Sequence, residues 1–345
     1  MPISIREVAA RAGVSLGTVS KVLNNSTGAQ LADGTRDRVR HAARELGYHP
    51  SAVARALVRR QTDTLGVIFP GAGSPQIRGG FFSVVFNALL DAAHQVGQDV
   101  TVLTGRTWHN AERSMPEFRD GRCDGYIVFF QFPGSDLIPA FLDSKIPFVL
   151  VNDCGDDPRL SCVDVDNVFS ARTATEYLLS LGHTRIAHIG GDVPDAPVAG
   201  RLRGYREVLC ETGITPDPRL APPGTYYGDS VADRVTTLMG LPRGERPTAF
   251  FCGADGIAFG VLRTLARLGI RVPEEVSVIG HDDLPEAEQE HPSLTTMRQP
   301  FDEIGATTVS ELLAVVRNRE NRGVKTFLPT ELIVRGSTAP PPASD

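Results

Sequence analysis

Near its start, the chain places apolar side chains at helical spacing in three short segments. The three apolar groups are Ile5, Val8, Ala9 and Ala12, then Val19, Val22 and Leu23, and then Val39, Ala42, Ala43 and Leu46. Ser4 and Glu7 form a capping-box pattern, and Ser15 is placed to cap a second helix. Gly13 supplies a tight turn between the first two helices. The pattern therefore predicts an all-α helix-turn-helix headpiece with a third supporting helix.

From residue 64 onward, short apolar runs alternate with longer amphipathic stretches. Strands are predicted at residues 65–69, 99–103, 126–130, 147–151, 185–190, 248–252 and 276–280. Helices are predicted at residues 82–95, 110–119, 135–142, 168–181, 199–211, 230–239 and 254–268. Two such arrays in succession predict an α/β body of two doubly wound parallel-sheet lobes. Because ligands bind beyond the carboxyl ends of strands in such sheets, we expect a ligand site in the cleft between the lobes.

The charge is divided unevenly along the chain. Its 345 residues suffice for two or three domains, and its net charge is -6. Residues 1–60 hold ten Lys or Arg against four Asp or Glu, whereas the remainder holds 25 basic and 37 acidic residues. A basic segment attracts phosphate, and an acidic body avoids nonspecific adhesion to nucleic acid. The division favours a DNA-binding headpiece on an acidic body.

Several classes of protein are disfavoured by what the sequence lacks. It has no P-loop, no GxSxG and no HExxH motif, so we expect neither an enzyme nor a cofactor. The five cysteines, Cys123, Cys154, Cys162, Cys210 and Cys252, are odd in number and lack a CxxC pair. We expect each to be a small buried hydrophobe, with no metal site and no disulfide framework. Without an apolar region of a secretion signal or an apolar run of membrane-spanning length, a cytoplasmic protein is expected.

Residues 8–24, VAARAGVSLGTVSKVLN, resemble the DNA-binding signature of the lactose-repressor (LacI/GalR) family of bacterial transcription regulators. A looser resemblance extends to about residue 335. Capping and periodicity alone favour a solvated helical hairpin, but the resemblance implies that the second helix enters the DNA major groove. The DNA-binding residues expected there are Ser15, Leu16, Gly17, Thr18, Ser20, Lys21 and Asn24.

A second basic segment follows the headpiece. Pro50 and the alanines after it predict a helix of about two turns, which is too short to be stable in isolation. In the family this segment is a hinge that folds as a pair in the dimer and wedges a leucine into the minor groove. By motif position that leucine is Leu57, with Arg55 near the DNA backbone. Ser51 stands where the family usually has Asn, so its contact is left open, and a basic linker helix remains the alternative.

The chain divides into four predicted segments. They are a helix-turn-helix headpiece (residues 1–49), a hinge helix and linker (50–61), an effector-binding and dimerisation domain (62–335) and a tail (336–345). The tail is rich in Pro and lacks a leucine heptad, so we expect it to be disordered and not to form a coiled-coil tetramer.

The resemblance implies a two-lobed body like that of periplasmic sugar-binding proteins, with the chain passing between the lobes three times. These passages are expected near residues 164–166, 295–299 and 322–325. Lobe one would comprise about residues 62–164 and 299–322, and lobe two about residues 166–295 and 324–335. A helix at residues 301–316 would return to lobe one, and a strand at residues 326–334 would lie in lobe two.

The resemblance also implies an effector site in the cleft. The expected effector-binding residues are Phe82, Asn152, Arg201, Tyr226, Asp282 and Phe301. Arg201 matches a family arginine whose planar fork suits a polyhydroxylated or anionic ligand, and Asp282 matches an aspartate that accepts hydrogen bonds from ligand hydroxyls. A surface ion pair is the alternative for both.

Other positions qualify this assignment. Asn152 stands where many sugar-responsive members have Asp, and Ala254 where Asn is frequent, so the usual effector contacts do not transfer unchanged. Phe82 fits the core as well as a ligand wall. Asp166 is a further candidate at the polar rim of the cleft.

Together these features predict a transcriptional repressor. It would bind a pseudo-palindromic double-stranded DNA operator as a homodimer and be released by a small-molecule effector, a sugar, with no membrane partner. The alternatives are a nucleobase corepressor, a protein corepressor, or a plain solute-binding protein, which would need an export signal and has no use for a basic headpiece.

Overall fold

The computed structural model describes residues 3–24, 31, 34–59, 61–69, 80–104, 110–129, 135–190, 196–223, 229–318 and 321–342. The chain divides into two compact units, Met1–Asp63 and Thr64–Asp345.

The first unit is helical. Its helices are α1 (Ile5–Ala12), α2 (Leu16–Leu23), α3 (Thr35–Glu45) and α4 (Ala52–Arg59). Val8, Val19, Val22 and Val39 are fully buried and form the centre of a small core shared by α1, α2 and α3. Gly13 has a φ of 65° at the end of α1, a conformation that glycine adopts without strain. The predicted helix-turn-helix is confirmed.

The second unit contains the remaining elements. Its strands are β1 (Thr64–Ile68), β2 (Asp99–Leu103), β3 (Gly125–Phe129), β4 (Phe148–Val151), β5 (Cys162–Val165), β6 (Ile186–Ile189), β7 (Ala249–Cys252), β8 (Ser277–Asp282), β9 (Thr295–Arg298), β10 (Lys325–Leu328) and β11 (Glu331–Ile333). Its α-helices are α5 (Gly80–Gln95), α6 (Ala111–Phe118), α7 (Leu137–Asp143), α8 (Asn167–Ser180), α9 (Ala196–Glu211), α10 (Asp229–Met239), α11 (Asp255–Arg267), α12 (Pro285–Gln289) and α13 (Phe301–Asn318).

The strands form two sheets, one in each lobe. The first sheet has the order β10-β5-β4-β3-β1-β2 with parallel pairing, and the second has the order β11-β9-β8-β7-β6 with β11 antiparallel to β9. Alternate strand residues enter different cores: Ile127 and Val128 belong to separate clusters in lobe one, as do Phe250 and Phe251 in lobe two. Both faces of each sheet are thus covered, which confirms the doubly wound lobes.

The third passage between the lobes differs from the prediction. The apolar run expected as one strand at residues 326–334 is two strands, β10 in the first sheet and β11 in the second. Pro329 separates them because it has no N–H to donate to a strand ladder. The passage therefore lies at residues 329–330, and the assignment of residues 324–328 to lobe two is wrong.

The tail is ordered over residues 336–342, so the prediction of disorder there is wrong. Ser337 is fully buried, where its hydroxyl donates to the Val278 carbonyl at 2.6 Å and accepts from the Thr295 N–H at 2.8 Å. The Thr338 hydroxyl lies 2.9 Å from that of Tyr177. The Pro-rich composition that suggested disorder gave no sign of these hydroxyl contacts, which attach the tail to lobe two. Residues 343–345 lie outside the described part of the chain.

The expectation for the cysteines is also wrong in part. Cys154 and Cys162 form a disulfide with a Cα–Cα distance of 5.2 Å. Cys123 is half-buried and Cys210 is exposed, whereas Cys252 is buried as expected. The spacing of the cysteines in the sequence does not predict this disulfide. It forms because β4 and β5 are neighbours in the sheet, which brings two cysteines eight residues apart into contact.

Reduction of this disulfide is expected to destabilise the second unit. Closing so short a loop restricts the unfolded chain by about 2–3 kcal/mol. Alkylation of the denatured, unreduced protein should therefore label three of the five cysteines, and unfolding by denaturant should require less denaturant after reduction. A C154S/C162S double variant is the control. It should match the reduced protein and lose its dependence on reductant, and labelling of all five cysteines before reduction would contradict the prediction.

Candidate DNA interface and effector site

The hydroxyls at the start of α2 are ordered by local contacts. The Ser15 hydroxyl accepts a hydrogen bond from the Thr18 N–H at 3.2 Å, and the two side-chain hydroxyls lie 2.9 Å apart. The Arg11 Nε donates to Glu45 at 3.1 Å, which ties α1 to α3. The contacts of Ser15 thus stabilise the first turn of α2, and that of Arg11 joins two of the helices that support it.

The predicted DNA-binding residues on α2 form one exposed or half-exposed surface. Leu16 is 45% exposed although it is apolar. Gly17 and Lys21 are exposed, and the Asn24 amide donates to the Ser20 hydroxyl at 3.2 Å. A surface that mixes cation, hydroxyl, amide and apolar groups offers the donors, acceptors and thymine-methyl contact used in the major groove.

The hinge segment forms the helix α4. The Ser51 hydroxyl accepts from the Ala54 N–H at 3.3 Å and so caps it, while Arg55 donates to the Pro50 carbonyl at 2.7 Å. The side chain of Leu57 lies outside the described residues. The Arg55 guanidinium is therefore held at the amino end of α4.

Arg201 is the centre of the polar network in the cleft. It is 6% exposed on α9, and its Nε donates to the Asn167 amide oxygen at 2.8 Å while Nη1 donates to the Gly253 carbonyl. Asn167 in turn donates to Asp164 at 3.2 Å. This hydrogen-bonded chain runs from β5 in the first sheet to the end of β7 in the second. Arg201 is thus a buried residue of the cleft and not a surface ion-pair partner.

Asp164 was not among the predicted site residues. Its carboxylate also accepts from the Val165 N–H at 2.7 Å. Burial raises the pKa of Asp164 to about 7, and the charge of Arg201 limits that rise. The rim candidate Asp166 instead caps α8 by accepting from the Phe169 N–H at 2.9 Å.

Asp282 lies at the end of β8 with a φ of 132°. Its Oδ1 accepts from the Gln299 amide at 2.8 Å and lies 3.3 Å from His281 Nδ1. Gln299 was missed by the sequence analysis because an isolated glutamine after a strand carries no distinctive signal. It is 2% exposed.

Asp255, next to Ala254, has a structural role. Its carboxylate accepts from the Thr296 hydroxyl at 2.6 Å and from the Leu284 N–H at 2.8 Å. Burial, and then the nearby charge of Asp282, raise the pKa of Asp255 to about 8. Asp255 therefore braces the loop that follows Asp282.

Of the buried amide oxygens without a hydrogen-bond partner among the described residues, two lie directly after the carboxyl end of a strand. They are Asn152 Oδ1, after β4 of the first sheet, and Gln299 Oε1, after β9 of the second. An unpaired buried acceptor is costly, so each is suited to a ligand that donates a hydrogen bond. Asn152 also has a φ of 61°, a backbone conformation that few non-glycine residues adopt.

The aromatic candidates differ in their surroundings. Phe82 packs edge-on against Phe69 and Phe129 with ring centroids 6.0 and 5.9 Å away, so it belongs to the lobe-one core. Phe301 packs against the cores of both lobes and lies 5.8 Å from Phe81. Tyr226 lies outside the described residues. Phe301 is thus placed where the lobes meet.

Comparison with known proteins identifies the family. Residues 4–51 match the model of bacterial regulatory proteins of the lacI family, and residues 175–338 match a periplasmic binding protein-like domain. The HTH-type transcriptional regulator CelR of Thermobifida fusca is 34% identical over 343 residues, covering 97% of this chain and 98% of CelR. The chain belongs to the LacI family. It is therefore a DNA-binding transcriptional regulator.

Two solved LacI-family structures resemble the whole chain. The CelR–cellobiose complex has a TM-score of 0.72 at 30% identity and covers 97% of this chain and 99% of its own. The lac repressor dimer bound to operator and the anti-inducer ONPF has a TM-score of 0.82 at 26% identity, and the match covers 98% of this chain and 100% of the lac repressor chain. In the part of this chain that is described, no helix has the length and apolarity to cross a membrane.

Gly17 offers a direct test of the α2 surface. A Cβ at this position meets nothing closer than 3.9 Å, so Gly17→Ala is expected to keep its fold while adding a methyl group to the candidate DNA interface. Selection from a randomised DNA library should show an altered preference at one or two base pairs, each by about 1–3 kcal/mol.

Gly13→Ala is the matched control for that substitution. Its positive φ makes a side chain strained, so thermal unfolding should occur at a lower temperature with an unchanged DNA preference. An unchanged preference in Gly17→Ala would contradict the assignment of this surface.

The stability of the second unit is expected to fall as pH rises from 6.5 to 8. Asp164 and Asp255 hold their protons in the folded state to about pH 7 and 8 but lose them near pH 4 when unfolded, so folding binds protons in this window. The buried His183, His188 and His281 have lowered pKa values, so the unfolded chain binds protons on them around the ordinary histidine pKa of 6.5; this opposes the trend near pH 6.5 and fades as the pH approaches 8. Urea unfolding against pH should show the decline, and Asp255→Asn should reduce its slope. A stability that rises over this window would contradict the prediction.

Proposed function

We propose that this LacI-family regulator is a homodimeric repressor that acts in the cytoplasm and is released from its operator by a sugar. Each protomer would present α2 to one half of a pseudo-palindromic operator through Ser15, Leu16, Gly17, Thr18, Ser20, Lys21 and Asn24. Paired Leu57 side chains would enter the minor groove between the half-sites, with Arg55 near the DNA backbone.

The observation that carries the sugar assignment is the acceptor-rich chemistry of the cleft. Asn152 and Gln299 each offer a buried carbonyl oxygen that lacks a partner among the described residues, and Asp282 offers a carboxylate. Sugar hydroxyls donate to such groups. The similarity to CelR, whose structure is a cellobiose complex, supports the same class of ligand.

The electrostatics favour a neutral ligand over an anion. The Arg201 guanidinium already donates to Asn167 and to the Gly253 carbonyl. Its charge also faces the buried Asp164 carboxyl. A cleft whose cation is engaged in this way gains little from binding phosphate or a carboxylate, but it can still orient hydroxyls.

A sugar would act by changing the angle between the lobes. Binding can shift that equilibrium only through a difference in affinity for the two lobe arrangements. Asn152 and Gln299 follow strands of different sheets, so simultaneous hydrogen bonds to both would favour the closed arrangement. We propose that closure separates the paired α4 helices and so weakens operator binding.

The function can be tested by fluorescence anisotropy with labelled inverted repeats from the DNA flanking the gene. The expected result is tight binding at fixed salt and its loss on addition of cellobiose or another sugar from a panel. Hypoxanthine and cytidine test the nucleobase alternative. Tighter DNA binding with sugar would overturn the inducer assignment, and failure to bind any inverted repeat would overturn the repressor. A screen without a small-molecule hit, together with capture of a protein partner that tightens DNA binding, would favour a protein corepressor.

Arg201→Lys is expected to weaken the response to sugar without weakening operator binding. Lysine keeps the charge but cannot donate to both Asn167 and Gly253, so the sugar concentration needed for release should rise about 10- to 100-fold while operator affinity without sugar stays near native. Arg172→Lys is the matched control because Arg172 pairs with Glu211 on the surface of the same lobe. It should respond to sugar as the native protein does, and a native response in Arg201→Lys would remove Arg201 from the site.

A further inference from the structure

His281 is a buried residue of β8 whose two ring nitrogens face different partners. Its Nε2 lies 2.8 Å from the Ser170 hydroxyl, and its Nδ1 lies 3.3 Å from Asp282 Oδ1. The Gln299 amide completes the group, 2.8 Å from Asp282 Oδ1 and 3.5 Å from His281 Nδ1. His281 itself is fully buried.

The partners of His281 lie on separate passages between the lobes. Ser170 is in the first turn of α8, directly after the chain leaves β5 of the first sheet. Gln299 lies between β9 of the second sheet and α13, at the passage back to lobe one. The hydrogen-bonded chain from Ser170 through His281 to Asp282 and Gln299 therefore links two interlobe passages to one carboxylate of the cleft.

We propose that His281 is the positioning residue that fixes the Asp282 carboxylate of the effector site relative to these two passages. The inference rests on the proposed effector role of Asp282. Asp282 has a φ of 132°, which is strained for a residue with a side chain. Such a conformation persists only where surrounding contacts hold it, and His281 and Gln299 supply contacts to the side chain itself.

The order Ser170, His281, Asp282 resembles that of a nucleophilic triad, but burial gives it a different role. Ser170 and His281 are both fully buried, so no substrate carbonyl can approach the serine hydroxyl. These hydrogen bonds therefore hold the Asp282 side chain in place and do not activate a nucleophile.

The protonation state of His281 is consistent with this role. Burial, and then the charge of Arg201, lower its pKa to about 4, so the ring is neutral at pH 7. A neutral imidazole has one donor and one acceptor nitrogen. Donation from Nδ1 to Asp282 leaves Nε2 to accept from the Ser170 hydroxyl, which gives each group a partner. The charged groups that act on this pair are Arg201 and, through Asp282, the neighbouring Asp255.

Three substitutions separate the two sides of the ring. His281→Asn keeps an amide donor near the Nδ1 position, His281→Gln places its amide near Nε2, and His281→Phe keeps the ring but neither nitrogen. We expect calorimetric titration of the full-length protein with cellobiose to show about 10- to 100-fold weaker binding for the His281→Phe and His281→Gln variants. The affinity of His281→Asn should lie within about threefold of the native affinity.

His183→Phe is the control for general destabilisation. His183 is also buried in lobe two, with Nδ1 2.9 Å from Thr248 and Nε2 3.1 Å from Ser277, but at the opposite end of the sheet. Its substitution should lower the thermal unfolding temperature without changing cellobiose affinity. Equal losses of affinity in His183→Phe and His281→Phe would overturn the proposal, as would native affinity in both the Gln and Phe variants of His281.

Hydrogen exchange of the sugar-free proteins provides a readout that is independent of the effector. The Gln299 N–H donates to the Asp282 carbonyl at 3.1 Å, so peptides covering residues 297–302 should exchange faster in the Phe and Gln variants of His281 but not in Asn or in His183→Phe. If the native protein does not bind cellobiose, cellobiose is not the effector, but this pattern of exchange rates still supports the positioning role of His281. Unchanged exchange in all variants would overturn the positioning role itself.

Discussion

A desolvated arginine joins the strand ends of the two lobes, and the polar chemistry of the cleft depends on it. Arg201 donates to Asn167 and to the Gly253 carbonyl, and Asn167 donates to Asp164. Each of these groups is removed from water, so the loss of one partner would leave the next unsatisfied at a cost of about 1–3 kcal/mol. The network therefore behaves as a unit, and it connects β5 of one sheet to the end of β7 in the other.

Three of the five described non-glycine residues with a positive φ lie at the same edge of the sheets. Asn152, Asp282 and Asp283 have φ values of 61°, 132° and 60° although none is glycine. Asp283 is held by Arg298 and Arg335, each 2.7 Å away. The strands β3, β4, β6 and β7 are buried along their whole length. The parallel-sheet cores thus provide the rigid support that keeps a few polar side chains in conformations that they would not adopt alone.

The sequence predicted what depends on local patterning and missed what depends on contacts between distant segments. The spacing of apolar residues located the helix-turn-helix and the two doubly wound lobes. Burial of one helix face requires apolar residues at helical spacing, and burial of both sheet faces requires short continuous apolar runs. The disulfide, the ordered tail at Ser337 and the split at Pro329 left no such trace. In the cleft, Arg201 and Asp282 came from a motif, whereas Asp164 and Gln299 matter only because folding buries them beside these residues.

The arrangement of the unpaired acceptors bounds the effect of an effector on the lobe equilibrium. Asn152 Oδ1 and Gln299 Oε1 follow strands of different sheets, so a ligand with one hydroxyl bound to either oxygen would gain a bond from a second hydroxyl to the other oxygen only when the lobes approach. A hydrogen bond to a buried group contributes roughly 1–3 kcal/mol. Reversing a two-state population from 1:99 to 99:1 requires about 5.5 kcal/mol. One such bond in a single protomer is therefore too weak to reverse the equilibrium, whereas one in each cleft of a dimer gives about 2–6 kcal/mol, the upper end of which reaches the required value. Joint closure of the two clefts of a dimer would therefore give an effector more control over the lobe equilibrium than closure of one cleft alone.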